Sequence, residues 1–211
     1  MAEAHLARAR LPLGHLEKRE VRALAAQAGL RTAQKADSQE ICFVPSNDYR
    51  RLLAERGVEL HPGELVDTAG RVVGRHEGTE HFTIGQRRGH GVGGGTPLYV
   101  VDVCPTEGRV VLGTKEECHT ERMTVRAVNW IGCELPDSGE LRAAVQVRYH
   151  HRPAACTIAA DDEHEGGVVV EFDEPQLAVA PGQGAAFYDG DRLLGGGWIE
   201  AGERRAAVRA P

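Results

Sequence analysis

The chain has 211 residues, 41% of them hydrophobic, which is enough to bury one large or two small cores, and no apolar run is long enough to cross a bilayer. Its formal net charge is −6, so a bulk positive field cannot be what attracts a nucleic acid. Residues 1–56 carry 10 Lys and Arg against 7 Asp and Glu, and the remainder carries 15 against 24, so any bound RNA must contact local basic patches.

Helical patterns dominate the first part of the chain. Residues 1–10 are typical of the tail of a helix, and the apolar spacing over 16–28 predicts a second helix that ends at Gly29. A third helix is predicted over 47–56, with Ser46 as its N-cap. A few helices and one short strand cannot bury a core alone, so we expect this segment to dock on a part that the sequence does not contain.

A loop that leads into a short strand lies between the second and third predicted helices. The polar run from Asp37 to Glu40 changes abruptly into the apolar β-formers of 41–44, with Cys42 among them. A cysteine at such a junction can be held as a reactive thiolate by backbone N–H groups or by the N-terminus of a following helix. Free cysteines are also among the most buried residues, so an inert core thiol is the alternative.

Short β patterns follow the helices. The segment 63–74 predicts a hairpin around the turn 67–70, and strands over 97–103 and 109–112 predict a second hairpin. Together they predict a small β domain over residues 58–116.

A glycine-rich loop that begins with two arginines separates the two hairpins. It runs from Gly85 to Gly95 and contains Gln86, Arg87 and Arg88. Backbone N–H groups and guanidinium groups of this kind can contact phosphate, although the spacing is not that of a P-loop. A flexible connection with solvated arginines is the alternative.

The last part of the chain alternates short strands and turns, which predicts a sandwich or a small barrel over residues 120–211. A polar linker is expected at 115–119, and Asp189-Gly190 predicts a two-residue hairpin turn. The predicted strands are 124–130, 140–150, 154–160, 167–173, 184–188 and 192–199.

Two arginines, two histidines and a tyrosine are clustered at the end of the long predicted strand 140–150. The run is Arg148-Tyr149-His150-His151-Arg152. Its side chains could contact phosphates and stack on a base, which is how single-stranded RNA is often bound. A charged strand end without a ligand is the alternative.

The five cysteines are an odd number, widely spaced, without a C-x-x-C pair. This usage fits reduced thiols in the cytosol better than a disulfide framework, and it does not match a zinc-ligand spacing. The first residues also lack the charged-then-apolar layout of a signal peptide. We therefore predict a cytoplasmic protein with no metal site and no membrane partner.

An ordered set of motifs resembles the tRNA-specific 2-thiouridylases, bacterial and organellar enzymes that replace O2 of the wobble uridine of certain tRNAs with sulfur. The first two motifs are Asp37-Ser-Gln-Glu-Ile-Cys42-Phe43 and Gly85-Gln-Arg-Arg-Gly89. The others, in family order along the chain, are Leu11-Pro-Leu-Gly-His-Leu-Glu-Lys18, Gly74-Arg-His-Glu-Gly78, Arg148-Tyr149, Glu174-Pro-Gln176, Pro181-Gly-Gln183 and Gly195-Gly-Gly-Trp-Ile199. Each motif alone is weak, but the set covers nearly the whole chain.

This resemblance implies a mostly β, α+β fold in three parts. Residues 1–57 would be the remnant of an α/β nucleotide-binding domain that carries the catalytic cysteine, and 58–116 would be a small central β domain. Residues 120–211 would be a C-terminal β-barrel that contacts tRNA. In the family, the absent part of the α/β domain carries a Ser-Gly-Gly-Val-Asp-Ser loop for ATP and the first catalytic cysteine. Neither occurs in this sequence.

The resemblance also implies roles for particular residues. Cys42 matches the second catalytic cysteine, which carries a persulfide, and Asp37 and Ser38 would shape its loop. Gln86 and Arg87 would belong to an active-site loop. The residues that match tRNA-contact positions of the family are Arg148, Tyr149 and Gln183.

Cofactors and partners follow from the same resemblance. ATP and Mg²⁺ would be bound mainly by the absent domain. The expected partners are tRNA and a cysteine desulfurase or sulfur-relay protein, and no DNA is expected. The chain alone should be inactive in thiolation because it lacks the ATP site. A non-catalytic RNA-binding β module and a lone-cysteine redox protein are the alternatives.

Overall fold

The computed structural model of the chain describes residues 3–35, 49–93, 95–135, 139–149 and 151–204. Residue contacts divide the chain into two compact units, Met1–Glu59 and Leu60–Pro211. Among the described residues, no helix is both long and apolar enough to span a membrane.

The first unit is helical in its described residues. Its helices are α1 (Glu3–Leu6), α2 (Lys18–Gln27) and α3 (Tyr49–Glu55). The helix predicted over 16–28 is confirmed as α2. The backbone N–H of Glu17 donates to the Glu20 carboxylate at 2.7 Å, which satisfies one amide at the helix start. Gly29 ends the helix in the left-handed conformation, with φ of 69°.

The third helix is confirmed only in part. Gly57 follows α3 with φ of 64°, and the N–H of Val58 donates to Leu53 O at 3.1 Å, a common way to end a helix. The predicted start of this helix at Ser46 lies outside the described residues.

A four-stranded sheet opens the second unit. Its strands are β1 (Gly63–Asp67), β2 (Val72–His76), β3 (Tyr99–Cys104) and β4 (Arg109–Gly113), in the order β2-β1-β4-β3. Both predicted hairpins are confirmed as antiparallel pairs. The parallel pairing of β1 with β4 was not predicted. It requires a glycine at position 63, because a Cβ there would overlap with the carbonyl of Gly108.

Six antiparallel strands then form a closed barrel in the order β10-β5-β8-β7-β6-β9. The strands are β5 (His119–Trp130), β6 (Glu140–Gln146), β7 (Ala154–Ala160), β8 (Val168–Leu177), β9 (Gly184–Asp189) and β10 (Arg192–Arg204). The mostly β fold class is thus confirmed, and a barrel rather than a sandwich is formed. Inside it, the rings of Trp130 and Phe187 are stacked with their centroids 5.6 Å apart.

The three consecutive glycines of β10 have a packing reason. A Cβ at Gly195, Gly196 or Gly197 would overlap with a backbone carbonyl of a neighbouring strand. Register shifts between β10 and both of its neighbours lie in this stretch. The glycines therefore allow β10 to bend between β5 and β9 as the barrel closes.

Two local predictions in the barrel were wrong in detail. The strand predicted over 140–150 ends at Gln146, because the Gln146 side-chain amide donates to His151 O at 2.9 Å and the chain turns there. The hairpin turn is formed by Gly190 and Asp191 instead of Asp189-Gly190. Gly190, with φ of 57°, takes the first turn position, and Asp189 still pairs with Arg192.

The linker predicted at 115–119 is also wrong. Glu116–Cys118 form a turn of 3-10 helix, and β5 begins at His119. The side chain of Cys118 is fully buried, with its sulfur 3.6 Å from the carbonyl oxygen of Val100. This segment is therefore packed between the sheet and the barrel.

Candidate functional site

The sheet and the barrel meet in a small apolar cluster, which we call the sheet–barrel junction. Its buried members are Ile84, Val101, Cys118, Ala178 and Ala180. They come from the turn before β3, from β3 itself, and from the segments next to β5 and after β8. The junction places four stretches that are separated in sequence next to one another.

The turn Thr83–Gln86 is fixed to strand β3 by its backbone. The N–H of Gly85 donates to Val100 O at 2.8 Å, and the N–H of Val100 donates to Gln86 O at 2.9 Å. The turn closes through the N–H of Gln86, which donates to Thr83 O at 3.0 Å. The start of the predicted phosphate loop therefore has a defined position.

Gly85 is required at this turn for two reasons. Its φ of 87° lies in the left-handed region that favours glycine. A Cβ at this position would also overlap with the Cβ of Ala178 in the barrel. The glycine of the Gly85-Gln-Arg-Arg-Gly89 motif thus reflects the close approach of the barrel.

The segment Gln86–Gly93, which we call the glycine–arginine loop, is braced by two of its side chains. The Gln86 side chain accepts from the N–H of Thr83 at 3.2 Å and donates to Arg88 O at 2.7 Å. The His90 ring nitrogen Nε2 lies 3.0 Å from Arg87 O. Gln86 therefore has a structural role in the loop, whereas the Arg87 and Arg88 side chains are exposed.

Arg148 and Tyr149 lie in the turn after β6, and Arg148 contacts the turn Thr83–Gln86. The Arg148 side chain is half-buried, and its Nη2 donates to Ile84 O at 3.5 Å. The Tyr149 side chain is 83% exposed, so most of its ring is accessible to a ligand. The structure thus brings Arg148 and the loop of Gln86 and Arg87 together, as one site would require.

Gln183 lies in the turn before β9. It is half-buried, its N–H donates to Ala180 O at 3.4 Å, and its carbonyl accepts from the N–H of Ile199 at 2.8 Å. Ala180 belongs to the sheet–barrel junction. Gln183 is therefore three residues from the junction along the chain.

Three segments that contact one another through Arg148 and Ile84, and through Gly85 and Ala178, share an electrostatic property that sequence reasoning missed. Residues 81–98, 141–160 and 178–188 contain none of the 31 Asp and Glu residues of the chain. Exposed arginines in these segments include Arg87 and Arg152. In the part of the chain that the structure describes, neither Arg87 nor Arg152 forms an ion pair, whereas Arg142 of the same segments pairs with Asp173 and Arg126 pairs with Asp161 and Glu200. The gaps in the acidic residues were visible in the sequence, but their spatial meeting was not.

The predicted catalytic segment cannot be placed. Asp37, Ser38 and Cys42 lie outside the described residues. In the described part of the chain, no group of three or more His, Cys, Asp or Glu side chains is placed to hold a metal ion.

The four other cysteines are buried or half-buried, and two of them have a raised pKa. Burial, with help from the nearby Asp102 carboxylate, raises the pKa of Cys104, and burial raises the pKa of Cys156 to about 12. Cys118 is fully buried, and the sulfur of half-buried Cys133 lies 3.3 Å from Leu194 O.

Sequence families of known proteins match most of the chain in three consecutive pieces. Residues 1–46 match a tRNA methyl transferase HUP domain, and residues 51–114 match a tRNA methyl transferase PRC-barrel domain. Residues 120–199 match an aminomethyltransferase beta-barrel domain.

Curated relatives carry the name tRNA-specific 2-thiouridylase MnmA. One from Geobacter metallireducens is 46% identical over 202 residues, which are 95% of this chain and 54% of the relative. One from Paramagnetospirillum magneticum is 50% identical over 192 residues, or 90% of this chain and 50% of the relative. One from Solibacter usitatus is 46% identical over 207 residues, or 95% of this chain and 56% of the relative. The chain spans about half the length of the curated relatives it matches.

Proposed function

Because this chain belongs to the family of tRNA-specific 2-thiouridylases, we propose that it is the part of such an enzyme that holds tRNA and delivers sulfur to uridine. The observation that carries the proposal is the extent of the likeness. Identity of 46% extends over 95% of the chain, so it includes the segment around Cys42 as well as the sheet and the barrel.

We assign tRNA contact to the face formed at the sheet–barrel junction. The carboxylate-free segments and the exposed Arg87 favour a polyanion there, because phosphate contacts supply most of the affinity of nucleic-acid binding. The exposed ring of Tyr149 offers a surface on which an unstacked base can lie. Gln183, near the junction, is the third proposed contact.

We assign sulfur delivery to Cys42. Its thiol would accept a sulfur atom from a cysteine desulfurase or a sulfur-relay protein and carry it as a persulfide. The terminal sulfur would then bond to C2 of the activated uridine, either directly or as released hydrosulfide, and the bond from C2 to its activated oxygen would break so that this oxygen leaves with the activating group. In both routes a second thiol of the complete enzyme attacks Cys42, so that the S–S bond of the persulfide is broken and a disulfide forms. The two thiols supply the two electrons that reduce the transferred sulfur.

The motifs that would hold the phosphates of ATP do not occur in this sequence. The sequence contains no Ser-Gly-Gly-Val-Asp-Ser loop, and the glycine–arginine loop lacks the spacing of a P-loop. We therefore assign uridine activation with ATP and Mg²⁺ mainly to the remainder of the complete enzyme.

Mass spectrometry of the chain after incubation with a cysteine desulfurase and cysteine tests the sulfur-carrying role. We expect one added sulfur atom that maps to Cys42, and none in the Cys42→Ser variant. Cys156 serves as an internal control, because its raised pKa leaves almost no thiolate at neutral pH. Equal labelling of several cysteines, or no labelling at Cys42, would contradict the assignment and favour a non-catalytic RNA-binding module.

Titration of tRNA at several salt concentrations tests the RNA-binding role. The Arg87→Gln variant should bind several-fold more weakly and lower the slope of log affinity against log salt by about one. Arg75→Gln is the matched control, because Arg75 is an exposed arginine of β2 whose nearest carboxylate is Glu64 at 3.9 Å. Equal effects of the two substitutions would contradict the assignment of the junction face.

A further inference from the structure

One guanidinium group joins the barrel to the turn from which the glycine–arginine loop extends. Arg148 Nη2 donates to Ile84 O at 3.5 Å. Its Nη1 lies 3.9 Å from the point where a Cβ on Gly85 would stand. Two nitrogens of the same planar group therefore lie close to Ile84 and Gly85.

The Ile84–Gly85 peptide controls where the glycine–arginine loop begins. Ile84 is buried in the sheet–barrel junction, and Gly85 contacts Ala178 of the barrel. The next residue, Gln86, braces the loop through its side chain. A change in the position of the Ile84–Gly85 peptide is thus transmitted directly to Arg87.

We propose that Arg148 is a positioning residue, whose guanidinium holds the Ile84–Gly85 peptide against the barrel and thereby orients the glycine–arginine loop toward the RNA backbone. The proposal rests on the proposed function only in naming RNA as the ligand. Within the described residues, Ile84 O is the one hydrogen-bond acceptor that Arg148 contacts. The other N–H groups of the fork therefore remain for a phosphate, and one side chain connects the ligand to the loop.

A lysine should not replace Arg148 in this role. Its ammonium group is a compact point charge, whereas the flat guanidinium can lie along a peptide and still present a second edge. The Arg148→Lys variant therefore keeps the positive charge but removes the planar group that holds the Ile84–Gly85 peptide. Arg152→Lys is the matched control, because Arg152 is an exposed arginine four residues further along the chain.

Hydrogen exchange of the free chain gives the first test and needs no RNA. In Arg148→Lys we expect the amides of Gly85 and Gln86 to exchange about two- to tenfold faster, because one support of the turn is lost. The same amides should be unchanged in Arg152→Lys, and unchanged exchange in the barrel strands shows that the variant is folded. Unchanged exchange at Gly85 and Gln86 in Arg148→Lys would overturn the proposal.

A double-mutant cycle on tRNA affinity gives the second test. If Arg148 orients Arg87, Arg148→Lys should weaken binding several-fold in the wild-type chain and have little effect in the Arg87→Gln background. Equal losses in both backgrounds would overturn the positioning role. If the proposed function is wrong instead, the wild-type chain will show no salt-dependent tRNA binding while the exchange result stands.

Discussion

The two compact units of this chain bury their apolar side chains very differently. Among the described residues of the first unit, Ala33 is the one buried apolar residue, and Leu11, Leu13, Leu24 and Leu30 are exposed. The second unit fills a barrel and a sheet with fully buried aliphatic and aromatic side chains.

This difference teaches where the stability of the chain comes from. Burial of apolar surface is the dominant favourable contribution to folding, and it must offset the loss of conformational entropy. Helix α2 has a capped start and a defined end, but the described residues of the first unit contain no buried core that would support it. The second unit has both local signals and a core.

The largest effect that would sharpen this comparison is expected from Phe187→Ala. Phe187 is fully buried and stacks on Trp130, so its truncation should lower the free energy of unfolding of the second unit by about 3 to 5 kcal/mol. Urea unfolding followed by tryptophan fluorescence measures this. Leu24→Ala in α2 is the control. Because Leu24 is exposed, this substitution should change the free energy of unfolding by less than about 0.5 kcal/mol. If Leu24→Ala lowered the free energy of unfolding as much as Phe187→Ala, the proposed difference between the two units would be contradicted.

A smaller effect, at Gly85, tests whether the sheet and the barrel of the second unit unfold together. Gly85→Ala should lower the free energy of unfolding by about 1 to 2 kcal/mol because of the left-handed backbone. The overlap with Ala178 should lower it by about 1 to 3 kcal/mol more. Gly91→Ala is the control, because Gly91 has a similar φ of 76° but open space around it.

Urea unfolding of the whole chain, followed separately in the sheet and in the barrel, tests whether the two parts unfold together. We expect both parts to lose stability together in Gly85→Ala, since Ala178 belongs to the barrel segment at the junction. Equal costs for Gly85→Ala and Gly91→Ala would show that the contact with Ala178 does not stabilise the unit.

The smallest effect concerns the start of the second unit. Burial tends to raise the pKa of Glu80, but hydrogen bonds from the side chain and backbone N–H of His61 outweigh it and lower the pKa to about 2. A depressed carboxyl pKa adds stability that is present above about pH 4.5 and is lost as the pH falls toward 2.

Urea unfolding of the wild type and of Glu80→Gln at several pH values measures this contribution. The wild type should be more stable at neutral pH by less than about 1 kcal/mol, and the difference should shrink between pH 4.5 and 2. A difference that is independent of pH would show that the carboxylate charge does not hold His61.

Much of the secondary structure could be predicted because its signals are local. The helix over α2 has an apolar period and a glycine stop, both hairpins have short turns, and strand β7 was predicted with its observed bounds. The errors occurred where a specific side-chain contact, rather than a sequence pattern, decides the local structure. Strand β6 ends early at a local contact between the Gln146 side chain and His151, whereas Cys118 is buried because the sheet and the barrel pack over it.

For the candidate site, the sequence alone determined the residue types: a cysteine in a loop-to-strand motif, two arginines in a glycine-rich loop, and an Arg148-Tyr149 pair. Tertiary structure alone decided that Arg148 contacts the turn from which the glycine–arginine loop extends. Arg148 and Ile84 are 64 positions apart, and no pattern of period 2 or 3.6 connects such positions. Their contact depends on how the closed barrel packs against the sheet, because long-range packing, rather than local propensity, brings distant segments together.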